Sequence, residues 1–334
     1  MKKILSIIVS ILTLFSMLCI PASAESNTDD LSVNNTVTFN NRSYSNLSKE
    51  ELFTQKLAAV GISEDYYEVL SKKMFDDICN AQTISTKSSY YVESNDGSSL
   101  HQTTKDLYDI AVKEEKEKLA QKSFDINATI QGRSSGNSDF SKGVTGTVNK
   151  GTLNIVILLV SNDNINFVCS AIFQWETMPS ARHTDAFGLA RDDNTLVDAH
   201  SANGMYTVSY TRSQLSGIDA EINEYHETTE FDFDEVIVSP DGYAIEVDLR
   251  EDVASNSYPY TTILYTEMIG MVMYEGCIVD SSRNGANHWA VYAHKKLDLV
   301  FNGIDFSLPI STGFSINWEW TYEQKCDEHT WERT

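Results

Sequence analysis

The chain has 334 residues, with 48 acidic against 25 basic side chains, a net charge of −23, and hydrophobic and aromatic contents of 41% and 10%. That length supports one large or two modest domains with a real core, and the composition is not that of a disordered chain. So negative a field repels phosphate, which disfavours nucleic acid and anionic lipid as partners and favours a cation or a cationic partner.

Residues 1–24 read as a secretory signal peptide: Lys2 and Lys3, an apolar run from Ile4 to Ile20, and an Ala22-Ser23-Ala24 exit. Met17 and Leu18 stand ahead of Cys19 where a lipoprotein signal carries small residues, so lipidation is not expected. Later apolar runs, such as Ile155 to Val160, are strand-sized, and no membrane span is predicted after cleavage. Residues 25–47, rich in Asn, Ser and Thr, read as a flexible leader carrying glycosylation sequons at Asn34, Asn41 and Asn46.

Residues 48–122 are predicted to be a helical segment. Ser48-Lys49-Glu50-Glu51 is a capping box, Leu52, Phe53, Leu57 and Val60 give the first apolar face, and Gly61 ends the helix. Ile62, Tyr66, Leu70, Met74 and Ile78 recur every four residues and form the stripe of a second helix. A third helix is predicted from Thr104 to Lys122, its thin apolar face made of Leu107, Ile110, Ala111 and Leu119 around a charged centre.

Residues 123–334 read as a β-rich domain. Leu153 to Val160 and Ile165 to Trp175 form a buried hairpin, followed by strands at Met205 to Thr211, Glu235 to Val238, Tyr243 to Leu249, Thr262 to Tyr274, His288 to His294 and Phe314 to Tyr322. Many strands with little helix between them define an α+β, mainly β class: an N-terminal helical segment followed by an antiparallel β-sandwich-like body.

The signal, the Gly61-Ile62-Ser63-Glu64 junction, the Trp175-to-Arg182 segment with Met178-Pro179, and the Tyr292-Ala293-His294 strand resemble a group of uncharacterised secreted proteins of Gram-positive bacteria. The resemblance spans most of the mature chain, implies a secreted protein with a helical hairpin and a β-rich body, and brings no activity with it.

Candidate chemistry is sparse. Asn287-His288-Trp289-Ala290-Val291-Tyr292 resembles the histidine strand of papain-like cysteine peptidases. The thiols are poorly placed for that chemistry: Cys79 lies at a helix end, Cys169 in an apolar strand, and Cys277 needs a turn to reach His288. Cys79, Cys169, Cys277 and Cys326 permit three pairings if bridged, and no C-x-x-C pair exists. His226-Glu227-Thr228-Thr229-Glu230 is half of a zincin motif, and no metal site is predicted.

Residues 219–235 hold eight carboxylates, His226, and no Lys or Arg; such hard oxygen ligands suit calcium, but there is no D-x-[DN]-x-[DN]-G loop, a solvated acidic strand and loop is the plainer reading, and no cofactor is predicted. Trp318, Trp320 and Tyr322 alternate along a strand as a glycan or partner platform, or as the inward face of a sheet. Glu176, Glu275 and Glu319 are the carboxylates a glycosidase would draw on, with nothing to single out a pair. No catalytic residue is assigned. The expectation is a secreted, non-enzymatic module binding an extracellular protein or glycan; the alternative is a secreted hydrolase, using His288 with a cysteine or two carboxylates.

Overall fold

The computed structural model describes residues 31–39, 46–132, 150–163, 165–182, 184–216, 219–239, 241–255, 260–280, 282–283, 285–295, 306–307, 315–316 and 322–332. In chain order the elements are β1 (Ser32–Thr38), α1 (Lys49–Ala59), α2 (Tyr67–Asn80), β2 (Thr83–Glu93), β3 (Leu100–Thr103), α3 (Lys105–Gly132), β4 (Thr152–Ser161), β5 (Asn166–Thr177), β6 (Thr184–Arg191), β7 (Thr195–Val197) and β8 (Asn203–Ser216). They continue with β9 (Asp219–Phe231), β10 (Ile237–Ser239), β11 (Gly242–Asp248), β12 (Val253–Ala254), β13 (Tyr260–Ile278), β14 (Gly285–Lys295), β15 (Phe306–Ser307), β16 (Ser315–Ile316) and β17 (Tyr322–Glu332).

The fold is mostly β and its pairings are antiparallel. The large sheet runs β1-β2-β4-β5-β13-β8-β9, with β3, β7 and β12 paired onto it, and a smaller sheet runs β10-β11-β6-β14-β17. Period-two alternation sends neighbouring side chains to opposite faces. Odd-numbered Leu153, Ile155 and Ile157 of β4 and Phe173 of β5 join a core with Phe187, Ile245 and Tyr292 of the small sheet. Even-numbered Val156, Leu158, Val160 and Ile172 pack instead with Leu57, Leu70, Met74 and Ile78 of α1 and α2. Strands buried on both faces must read as unbroken apolar runs, which accounts for the sequence of β4. Where the sheets meet, Gly270 of β13 leaves room for the Phe187 ring, 2.2 Å from where a Cβ would stand, and Phe187 stacks on Phe173 at 4.7 Å.

The helical hairpin follows its local signals. The Ser48 Oγ accepts from Glu51 N–H at 3.1 Å, the Ser48 N–H donates to Glu51 Oε2 at 2.9 Å, and Gly61 takes a φ of 76° at the turn. Lys56 of α1 is fully buried, and its Nζ donates to the carbonyls of Cys79 and Ala81 at 2.8 and 2.6 Å. A charged group thus satisfies acceptors at the end of α2 that would otherwise lack partners. Burial pulls its pKa down to about 8.

Three sequence expectations need correction. The leader read as flexible contains β1, whose residues pair with β2 from Ser32↔Ser89 to Thr38↔Thr83; polar alternation on an edge strand carries little apolar signal. The segment read as helical contains β2 and β3, and β2 pairs with β4, so the two predicted regions share one sheet. The helix predicted at Thr104 does form, as α3, on a different face. Tyr108, Val112 and Glu115 are buried, whereas Leu107 and Ile110 are 59% and 55% exposed. Tyr108 and Val112 pack on Tyr90, a contact that selects the face and that helical spacing alone does not reveal.

Candidate binding groove

The face of the large sheet toward the helices has two ends. One is apolar and covered by α1 and α2; toward the other, the same rows of side chains turn polar. Beyond Val156 in β4 comes Asn154, beyond Ile172 in β5 come Gln174 and Glu176, and beyond Ile269 in β13 comes Glu267. α3 contacts β2, β4, β5 and β9 at this end and is anchored by the Glu115 carboxylate, which accepts from Lys118 Nζ at 2.6 Å and from Lys150 N–H at 3.2 Å.

Between α3 and the sheet lies a groove of about 620 Å³. Lys116, Leu119 and Ala120 of α3 form one side. Glu176 of β5, Ser209, Tyr210 and Thr211 of β8, Ile222, Glu224, Tyr225 and His226 of β9, and Thr266 and Glu267 of β13 form the rest. A β-bulge shapes this floor: the β8–β13 register shifts between Tyr265 and Glu267, so Thr266 is an extra residue and lines the groove beside Glu267. Cross-strand pairing puts His226 opposite Ser209, joined at 2.9 Å, and Glu224 opposite Thr211. The stacked Tyr210–Tyr225 pair belongs to the opposite parity, with Tyr210 packed toward the inter-sheet core.

The groove is electronegative. Among the described residues that line it the one cation is Lys116, which pairs with Glu176 at 3.2 Å and also acts on Glu267, so three carboxylates share a single positive charge there. Glu267 accepts from the Gln174 amide at 2.5 Å; burial raises its pKa, opposed by that hydrogen bond and by the Lys116 charge and supported by the charges of Asp65 and Glu176. Beneath the floor, the Asn154 amide donates to the buried Tyr66 hydroxyl at 2.6 Å. A half-buried pocket with several acceptors, a hydroxyl-bearing wall and apolar Ile222 and Leu119 suits a cationic group carried on an aliphatic stem.

Two other clusters of titratable groups are closed to solvent. His288 is fully buried, its Nδ1 2.7 Å from the Tyr274 hydroxyl, and its Nε2 has no hydrogen-bond partner among the described residues. It faces His329 across the β14–β17 ladder, a neighbour the sequence reading did not find; the His329 Nε2 lies 2.8 Å from Ser85 Oγ. Burial lowers the pKa of His288 to about 3 and that of His329 to about 4. The Cys169 thiol reaches Tyr274 rather than His288, and its own burial pushes it well above the usual thiol range. A neutral imidazole and a neutral thiol separated by a phenol and closed to solvent are not a nucleophile–base pair. A second closed cluster joins Asp185, His294 and Tyr292: the His294 Nδ1 is 2.9 Å from Asp185 Oδ1, and the Tyr292 hydroxyl donates to Asp185 Oδ2.

Trp318, Trp320 and Glu319 lie outside the described residues, as does His183. Tyr322 begins β17, its backbone paired with Lys295. Glu275 is exposed at a separate pocket beside Asp198 and Cys277. Residues 219–231 of the acidic segment form β9, which strings its carboxylates along a strand, and among the described residues no three His, Cys, Asp or Glu side chains gather as metal ligands. Cys79, Cys169, Cys277 and Cys326 are free thiols. Glu176, His226 and Leu119 are singled out by the sequence, each for a different reason; that they meet Glu224 and Glu267 in one groove follows only from the pairing of β9, β8, β13 and β5 and the placement of α3.

No family model and no curated protein matches the chain. Among solved structures, it is similar to the collagen-binding subdomain of the Enterococcus faecalis surface protein ACE, at 6% identity over 49% of this chain and 87% of that one, with a TM-score of 0.22. It is also similar to a collagen-binding domain from a Staphylococcus aureus adhesin, at 5% identity over 50% and 88% of the two chains and a TM-score of 0.19. Overlap at this level does not define a shared fold or a shared ligand. No helix among the described residues is long and apolar enough to cross a membrane.

Proposed function

We propose that the chain is an extracellular binding module, a sandwich-like body exported by its N-terminal signal, and that the groove beneath α3 receives a cationic group of its partner. The observation that carries this reading is the groove's composition: three carboxylates beside an apolar wall, with a single lysine already engaged. The net charge of −23 adds a long-range field that draws a cationic partner and raises its rate of encounter. Titration with N-acetyl-arginine amide, followed by NMR of Leu119, Ala120 and Ile222 methyl groups, tests it. Saturable shifts that are absent with the neutral N-acetyl-norleucine amide and reduced several-fold in Glu224→Gln support the reading, and equal response to both probes overturns it.

A second reading has one observation in its favour. Glu176 and Glu267 follow the Met268↔Trp175 pair in the β5–β13 ladder and both face the groove, so two carboxylates stand on neighbouring strands, as hydrolysis of a glycosidic bond requires. Release of reducing ends from a polysaccharide panel, lost in both Glu176→Gln and Glu267→Gln, would favour it over binding alone.

A further inference from the structure

We propose that the free edge of β9 docks an extended, basic peptide segment of the partner, which adds a strand to the large sheet and delivers a lysine or arginine into the groove. The inference rests on the groove reading above and names the partner's form.

β9 ends the large sheet, with β8 on one side and no strand on the other among the described residues. A terminal strand presents a row of backbone donors and acceptors that an added strand can pair with. The opposite terminal strand, β1, is 7 residues long and uncharged, whereas β9 is 13 residues long and every residue from Glu221 to Glu230 is exposed. Glu221, Glu224, Glu227 and Glu230 lie along it, and no Lys or Arg occurs from residue 219 to 235.

These charges select the occupant. A second copy of β9 would set glutamates near glutamates across the new ladder, which is destabilising, so the edge is protected against self-pairing and open to a basic strand. Two of the four glutamates are already neutralised within the chain: Glu227 by Arg250 at 2.6 Å and Glu230 by Lys73 at 2.8 Å. Glu221 and Glu224 have no ion-pair partner among the described residues, and Glu224 lines the groove. The uncompensated charge therefore sits where the edge meets the groove. An added strand, alternating its side chains as β9 does, would place one basic residue beside Glu224 on the groove face and a second beside Glu221 on the other face.

Selection of a phage-displayed random twelve-residue peptide library on the full chain tests this. The expected result is enrichment of Lys- or Arg-bearing sequences without interior proline, with a synthetic representative slowing hydrogen exchange at alternate amides of β9 and leaving β1 unchanged. Thr228→Pro and Thr229→Pro supply the control, because adjacent residues of a strand point their N–H groups in opposite directions. One substitution breaks a bond to β8, and the other removes only an outward donor. The second should remain folded, weaken the peptide about 10-fold or more, and still bind N-acetyl-arginine amide. No enrichment, enrichment of acidic or purely apolar sequences, or protection outside β9 overturns the edge inference. If the arginine amide still binds in that event, the groove reading stands; if it does not, both fall.

Discussion

The inter-sheet core and the groove beneath α3 both gather titratable side chains, and the difference between them is access. The core holds Cys169, Tyr274, His288, Asp185, Tyr292 and His294, each no more than 5% exposed. The groove holds Glu176, Glu224, His226 and Glu267 around an open volume. In the core, polar groups meet one another and burial keeps them in their neutral forms or pairs them, so they specify which strand neighbours which. In the groove, the carboxylates border open volume, where a group from outside the chain could reach them. Histidines and thiols attract attention in a sequence, but His288, His294 and Cys169 are closed in, whereas Glu176, Glu224 and Glu267 line an open groove.

Acidification is the strongest way to press on that contrast. His288 and His329 titrate at about 3 and about 4 in the folded chain, against an ordinary 6.5. The unfolded chain therefore takes up these protons first, so the stability present above pH 6.5 is lost as pH falls toward 4. Together the two histidines represent a loss on the order of 6 kcal/mol at pH 4, partly offset by Asp327, whose buried carboxyl is shifted upward and acts in the opposite direction. Denaturant melts from pH 7 to 4 should show this slope, and His288→Gln should flatten it by about half. An unchanged slope would mean that His288 is protonated while folded.

Removing one partner of a buried pair comes next. Asp185→Ala leaves His294 and the Tyr292 hydroxyl without their carboxylate and should cost roughly 3–5 kcal/mol in chemical denaturation. A loss below about 1 kcal/mol would show that the pair is not closed to water. By contrast, Glu267→Gln keeps an acceptor for Gln174 and removes a charge whose protonation burial already favours. Its stability should change by about 1 kcal/mol or less, while binding of the arginine amide weakens several-fold. Smallest is Lys116→Ala: the lysine is exposed, the ion pair with Glu176 contributes about 0.5 kcal/mol, and its removal should strengthen cation binding by freeing a carboxylate. Weaker binding in Lys116→Ala would mean that α3 needs the pair to hold the groove's shape.

Legibility from sequence followed the range of the interactions. The capping box at Ser48, the turn at Gly61 and the buried β4–β5 hairpin depend on neighbours a few residues apart, and the structure carries all three. α3 was legible as a helix but not in its orientation, because the choice of Tyr108 and Val112 over Leu107 and Ile110 is made by Tyr90 on another element. β1 and β9 were not legible as the two ends of one sheet: polar and acidic strands take their structure from the partner they pair with. The groove was least visible, since Glu176, Glu224 and Glu267 come from three strands, and an extra residue at Thr266 adds a second groove-facing side chain beside Glu267.

The Glu93 carboxylate, buried at the end of β2, accepts from the N–H of Gly151 at 2.8 Å and from the N–H and hydroxyl of Ser180 at 3.0 and 2.6 Å. It thereby ties chain segments 58 and 87 residues away in sequence, and it can leave water without loss only when both have arrived. Its long sequence separations predict that this contact forms late in folding, after the hairpin of β4 and β5. In kinetic terms Glu93 is expected to act as a latch: Glu93→Ala should leave the folding rate nearly unchanged and quicken unfolding in stopped-flow denaturant kinetics, shortening the lifetime of the folded chain without altering the route by which it folds.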